Sequence, residues 1–318
     1  MDEFELIETI FAPLAAEGEP AFALGDDAAV MHPPEGRELV LTTDMMVAGR
    51  HFLPEDAPDL VARKLLRVNL SDLAAMGAEP EGYLLGLAFA ERLDADFARR
   101  FAAGLASDQR AFGIGLLGGD TVSGAGRLTL SLTALGSLPT GKALRRSGAG
   151  LGDDIYVSGS IGDAALALKG LQGEIEGAAA LAERYYLPVP RLALGRRLRG
   201  VASACIDVSD GLVADLGHIC RRSGLGARIE ADRVPLSDTA AELLRDRPAL
   251  WPVVLGGGDD YELAFTAPPE RRDAVRTAGE AAGATVHKIG AIREEDGVTV
   301  VDRAGRRLEM GSGGFRHS

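Results

Sequence analysis

The sequence predicts an α/β protein of two domains. Three observations carry that expectation. The chain has 318 residues, and domains commonly run to about 100–200 residues each. Both halves alternate short apolar runs of strand type with amphipathic runs of helical period. Between them, residues 137–153 are rich in Gly, Pro and basic side chains and carry no period. The boundary is placed there, giving domains 1–138 and 139–318.

In the first half, Phe4, Ile7, Ile10, Phe11 and Leu14 form a helical stripe within residues 3–16. Residues 38–43 read as a strand running into Asp44, 59–76 as a helix and 83–89 as a strand. Residues 94–112 read as a helix with Asp94 as its N-cap. Residues 113–117 and 128–135 read as strands. In the second half, strands are expected at 155–158, 204–208, 227–231, 263–266, 286–292 and 298–301. Helices are expected at 161–171, 191–198, 212–223, 239–244 and 271–282.

Composition narrows the function. Hydrophobic residues make up 46% and charged residues 25%, an ordinary globular balance that excludes a disordered chain. Thirty-four basic against 47 acidic residues leave a net charge of −13, which repels a nucleic-acid backbone. The same charge repels ATP and other phosphates, so a phosphate-binding reading calls for metal cations. Cys205 and Cys220 are too few for a disulfide scaffold and point to a reducing compartment. The acidic start, Met1-Asp2-Glu3-Phe4-Glu5, lacks the basic region of a signal peptide, and no apolar run approaches the ~20 residues of a membrane span. The expectation is a cytoplasmic protein with neither a nucleic-acid nor a membrane partner.

Two motifs are decoys. Gly136-Ser-Leu-Pro-Thr-Gly141-Lys142 has the spacing of a P-loop, but Ala143 stands where a Ser or Thr would hold Mg²⁺. Gly113-Ile-Gly115-Leu-Leu-Gly118 has the spacing of a dinucleotide fingerprint, but a helix precedes it and no acid follows at 134–140.

The informative signal is a series of acidic residues beside Gly, Ser or Thr. They stand in Gly25-Asp26-Asp27-Ala28-Ala29-Val30, Thr42-Thr43-Asp44, Asn69-Leu70-Ser71-Asp72 and Gly118-Gly119-Asp120-Thr121. They continue in Asp207-Val208-Ser209-Asp210-Gly211 and Gly257-Gly258-Asp259-Asp260-Tyr261-Glu262. Any one of these alone reads as a cap or an Asx-turn. Together, with several expected at strand ends where α/β sheets bind ligands, they point to a metal-assisted phosphate enzyme. Glycines beside them let backbone amides approach phosphates.

This ordered set, with Met45-Met46-Val47-Ala48-Gly49-Arg50-His51-Phe52, the run Asn69 to Ala78 and Arg146-Ser147-Gly148-Ala149, resembles the thiamine-monophosphate kinase family. That family belongs to a superfamily with aminoimidazole ribonucleotide synthetase and selenophosphate synthetase. The resemblance runs from Asp27 to Phe315. It implies two α/β domains with mixed sheets, dimerisation through the N-terminal sheet and a nucleotide site in the interdomain cleft. It implies phosphoryl transfer from ATP to thiamine monophosphate, with several Mg²⁺ ions.

By the same resemblance, Asp27, Thr42, Thr43, Asp44, Asp72, Asp120, Asp207 and Asp210 are metal ligands. Phe112, Gly119, Asp120, Arg146 and Ser209 contact ATP, and His51, Asp259 and Phe315 contact thiamine monophosphate. On residues alone, Arg146 reads equally as a phosphate clamp or as a linker charge. A lone His51 reads as structural, and Phe315 as packing or tail. No separate catalytic nucleophile is implied. The chain departs from the family at Asp259, where Glu is usual, and at its end, His317-Ser318, where an aromatic often follows His. A selenophosphate synthetase needs a reactive Cys or selenocysteine near the N-terminus, and no Cys precedes Cys205. Two alternatives stay open: another ATP-dependent enzyme of the superfamily, such as an aminoimidazole ribonucleotide synthetase, and a non-catalytic nucleotide-binding regulator, which would bind ATP without consuming it.

Overall fold

The computed structural model describes residues 3–15, 21–25, 27–92 and 94–310. They form two compact units, Met1–Leu73 with Ala78–Gly141, and Ala74–Gly77 with Lys142–Ser318.

The first unit opens with α1 (Glu3–Leu6), which passes into a π-turn (Ile7–Phe11) and a 3-10 turn (Ala12–Leu14). One continuous helix was expected here. Pro13 has no N–H to donate and its ring crowds the preceding turn, so the α pattern cannot continue. Then follow β1 (Arg37–Val47), α2 (Pro58–Met76), β2 (Glu79–Phe89), α3 (Ala95–Phe112), β3 (Gly115–Ser123) and β4 (Thr129–Pro139). Asp94 caps α3 as expected, its carboxylate accepting from the N–H groups of Asp96 and Phe97 at 3.0 Å each.

The strands make one mixed sheet in the order β1-β4-β2-β3, with only β2 and β3 parallel. Side chains alternate across it. Met46, Leu132, Tyr83 and Leu85 are buried on one face. Tyr83 there meets α3 through Gln109, at 3.1 Å. The opposite face exposes Leu41 (63%), Met45 (58%), Leu84 (42%) and Val122 (49%).

The P-loop spacing falls on the end of β4 and a turn, with no helix after it. In the dinucleotide-like spacing, Gly113 is the left-handed C-cap of α3 and the other two glycines lie in β3. Neither decoy has the strand–loop–helix geometry its chemistry needs.

The second unit contains β5 (Asp154–Ser158), α4 (Asp163–Leu171), α5 (Ala182–Tyr186), α6 (Leu192–Leu198), β6 (Ala204–Asp207) and α7 (Leu212–Ser223). It continues with β7 (Gly226–Glu230), α8 (Asp238–Asp246), α9 (Trp251–Gly256), β8 (Leu263–Ala267), α10 (Arg272–Ala282), β9 (Val286–Arg293) and β10 (Gly297–Val301). Its six strands lie in the order β10-β7-β9-β5-β8-β6, and only β10 and β7 are parallel. Both sheets are therefore mixed, as expected. Ile155, Val157, Ile206, Leu216, Ile219, Ile229 and Ile289 are all buried in one core cluster. The short α5 and α9 were not anticipated, because each spans too few residues to display a helical period.

Candidate active site

Asp72 lies within α2, in the helix expected at 59–76, whereas Asp44 lies in the body of β1 and Asp120 within β3, so neither of these two sits in the strand-end turn expected for it. Pairing explains the difference. Polar residues flanked by Thr or Gly read as turns, yet the neighbouring strands supply their backbone hydrogen bonds.

Thr42 and Asp44 are two residues apart on β1 and share the face toward α2. Thr42 Oγ1 donates to Asp72 Oδ2 at 2.5 Å. Burial and, secondarily, the Asp72 charge raise the Asp44 carboxyl from 3.8 to about 7. Two crowded carboxylates and a hydroxyl are the hard oxygen donors that suit Mg²⁺, and a cation there would relieve their repulsion. Thr43 points to the other face, where its hydroxyl donates to the Leu132 carbonyl at 3.1 Å and meets Thr133 Oγ1 at 3.1 Å. Asp27 is exposed in a bend after Gly25.

Register separates Asp120 from this cluster. Asp44 aligns with Leu132 on β4, Leu132 with Leu85 on β2, and Leu85 with Gly119 on β3. Three strand spacings put Asp44 about 14 Å from that end of the row, too far for Asp44 and Asp120 of one chain to share an ion. Asp120 also falls on the exposed face. Gly119 answers to packing, since a Cβ there would stand 2.0 Å from the Leu85 carbonyl oxygen.

His51 is held beside the end of β1, its Nδ1 accepting from the Val47 N–H at 3.1 Å. Phe112 is half-buried, with the Arg67 guanidinium 5.3 Å above its ring. Arg67 and Arg63 both pair with the buried Asp108.

In the second unit, Asp207 ends β6 as expected and is buried. The turn after it is clamped by Asp215 in the first turn of α7. One Asp215 oxygen accepts from the N–H groups of Ser209, Asp210 and Gly211 at 3.0, 3.0 and 3.1 Å. Burial and then the Asp210 charge push the Asp215 carboxyl up to about 7. Asp210, Asp215 and His218 bring one ligating atom each within 4.8 Å of one another. Burial, then the charges of Arg221 and Arg146, hold His218 below the usual imidazole range. Arg146 itself is exposed, on a segment laid beside β6 by the Cys205 N–H to Arg145 carbonyl bond of 2.8 Å. Asp215 and His218 escaped the sequence reading, although their spacing of one helical turn was visible in it.

The turn at 257–262 packs on the turn at 207–211. Asp259 N–H donates to the Ser209 carbonyl at 2.9 Å and Tyr261 N–H to the Val208 carbonyl at 2.8 Å. Gly258 has φ +76°, and a Cβ there would lie 2.2 Å from the Ser209 oxygen. Asp259 and Tyr261 hold φ of 64° and 51°, left-handed values that cost non-glycine residues roughly 1–3 kcal/mol each. Phe315 lies outside the described residues.

Residues 25–138 match the AIR synthase related protein N-terminal domain, and residues 150–303 match its C-terminal domain. The two α/β units are of that class. The chain is 45% identical to the thiamine-monophosphate kinase of Caulobacter vibrioides over 301 residues, covering 93% of this chain and 86% of that protein. It superposes on the crystal structure of the thiamine-monophosphate kinase of Stenotrophomonas maltophilia K279a with a TM-score of 0.85 at 42% identity, covering 97% and 98% of the two chains. A solved structure of AaThiL complexed with AMPPCP and TMP gives a TM-score of 0.78 at 31% identity, covering 99% and 97%. The chain belongs to the thiamine-monophosphate kinase family and is an enzyme of the kinase class.

Proposed function

We propose that this chain transfers the γ-phosphoryl group of ATP to thiamine monophosphate, giving ADP and thiamine diphosphate. The observation that carries the reading is the Thr42–Asp44–Asp72 cluster, two neighbouring carboxylates whose repulsion a cation would relieve, in a chain of this family. Asp27, Thr42, Thr43, Asp44, Asp72, Asp120, Asp207 and Asp210 would hold several Mg²⁺ ions, the two threonines through oxygens. Bound Mg²⁺ supplies charge neutralisation between phosphates that the acidic chain would otherwise repel.

The chain's own residues bind and orient. Arg146 pairs with ATP phosphate oxygens in the fork geometry of a guanidinium. Gly119, Asp120, Ser209 and the edge of Phe112 contact the nucleotide. His51, Asp259 and Phe315 contact thiamine monophosphate. Asp259 is one methylene shorter than the usual Glu and reaches the substrate less far. The acceptor phosphate has a second pKa near ~6 and is largely deprotonated at neutral pH, so no strong general base is needed. Transfer is direct and in-line, without a phosphoenzyme. Net inversion at a chiral γ-phosphorus is expected, and net retention would overturn that step.

Domain 1–138 is proposed to carry the metal and ATP sites, and domain 139–318 to complete the nucleotide and substrate sites. The exposed apolar face bearing Leu41, Met45, Leu84 and Val122 supports a homodimer formed through the first sheet. A cytoplasmic location is supported by the free, buried Cys205 and Cys220. No helix among the described residues is long and apolar enough to cross a membrane.

The test is incubation of the protein with ATP, Mg²⁺ and thiamine monophosphate, with thiamine diphosphate followed by chromatography beside thiamine and no-metal controls. Metal-dependent thiamine diphosphate is the expected result. ATP bound but not consumed would overturn the kinase reading.

A further inference from the structure

Beneath the turn at 257–262 lies a buried group of ions. The fully buried Glu262 carboxylate accepts from Arg191 Nε and Nη2 at 2.6 Å each, from Arg184 Nη2 at 2.7 Å and from Ser158 Oγ at 2.6 Å. Buried Asp163 accepts from Ser160 Oγ and Ser237 Oγ at 2.5 Å each, and lies 4.0 Å from Arg184 Nε. Asp260 Oδ1 accepts from the Gly162 N–H at 2.9 Å, and its buried Oδ2 has no hydrogen-bond partner among the described residues. Burial pushes the Asp260 carboxyl well above the usual range. Glu262 and Asp163 face the guanidiniums of Arg191 and Arg184.

Such a cluster is a poor way to gain stability, because desolvating ions offsets much of their attraction. Its place in the chain gives it another use. Asp260 and Glu262 point inward, while Asp259 and Tyr261 between and before them are partly exposed. Those two outward residues are the ones with left-handed backbones. A turn of that kind persists only where its surroundings over-determine it. The inward carboxylates do this on either side of Tyr261.

We infer that Arg191 and Arg184, which belong to none of the sequence motifs, are positioning residues. Acting through Glu262, they hold the left-handed turn that presents the Asp259 carboxylate to thiamine monophosphate. The inference rests on the proposed kinase reading. The neighbouring turn has a separate clamp, Asp215, which holds Ser209 and Asp210. Asp259 N–H also bonds the Ser209 carbonyl, but Asp215 holds that turn on its own, so loosening Arg191 disturbs the thiamine monophosphate side more than the ATP side.

The test uses full-length Arg191→Met, Arg191→Lys and Arg184→Met. KM for each substrate is measured with kcat, and amide hydrogen exchange is read at Asp259 and Tyr261. In Arg191→Met, KM for thiamine monophosphate rises about 10- to 100-fold while KM for ATP stays within about twofold. Arg191→Lys restores part of the loss, since it keeps the charge without the two-pronged fork. The amides of Asp259 and Tyr261 exchange faster in Arg191→Met, and those of Asp210 and Gly211 do not change. Should Arg191→Met not fold, Arg191→Lys and Arg184→Met are expected to show smaller changes of the same pattern. Equal rises in both KM values, or wild-type exchange at Asp259 and Tyr261, would overturn the inference. A wild type that makes no thiamine diphosphate would overturn the kinase reading instead. The exchange data would still decide whether Arg191 holds the turn.

Discussion

Asp44→Asn separates the proposed metal role of the N-terminal cluster from its structural role. The Asp44 carboxyl titrates near 7 in the folded chain against 3.8 without its surroundings, chiefly through burial and then through Asp72. A folded-state value above the unfolded one means that the folded chain holds the proton more tightly. The carboxyl costs nothing below about pH 4, costs more as pH rises toward 7, and costs its full amount above that. Three pKa units correspond to about 4 kcal/mol as an upper bound, and partial exposure brings the expected cost to roughly 2 kcal/mol. In metal-free protein at pH 8, Asp44→Asn should therefore raise Tm by roughly 4–8 °C. At pH 5 the difference should be smaller, and below about pH 4 it should nearly vanish, because the carboxyl is then protonated in both the folded and the unfolded chain. Mg²⁺ at pH 8 should raise the wild-type Tm by more than that of the variant. Differential scanning fluorimetry reads all three. A variant Tm at or below wild type in metal-free buffer at pH 8 would refute the crowding argument.

Other outcomes follow from the same geometry. Asp108→Ala leaves Arg63 and Arg67 without the buried carboxylate they share, and should cost about 3–5 kcal/mol in urea unfolding. Gly119→Ala drives a methyl into the Leu85 carbonyl and should lower Tm by several degrees through strained β2–β3 pairing, whatever its effect on ATP. Cys205 is buried and its thiol is pushed up by burial, so thiol reagents should label it only after denaturant is added.

Much of this architecture was legible in the residues. Alternating apolar patterns marked most strands and helices, Asp94 announced the start of α3, and Asp207 was expected at a strand end. The motif set carried the family. What escaped was long-range. The order β1-β4-β2-β3 puts Asp44 and Asp120 on opposite edges of one sheet, and no local pattern encodes strand order. Thr42 and Thr43 fall on opposite faces by simple alternation, a distinction available in the sequence once residue 44 is placed inside the strand rather than after it. Asp215 and His218 gain meaning only when the preceding turn folds back onto α7. Arg184 and Arg191 lie 78 and 71 residues from Glu262, and only the folded chain brings them to it.

The most direct test of the account is the rate of thiamine diphosphate formation as Mg²⁺ is varied, in wild type and in Asp44→Asn. The account predicts a saturable rise with Mg²⁺ in the wild type and the loss of most activity in the variant at every Mg²⁺ concentration. A rate independent of Mg²⁺, or an Asp44→Asn rate equal to wild type, would contradict it.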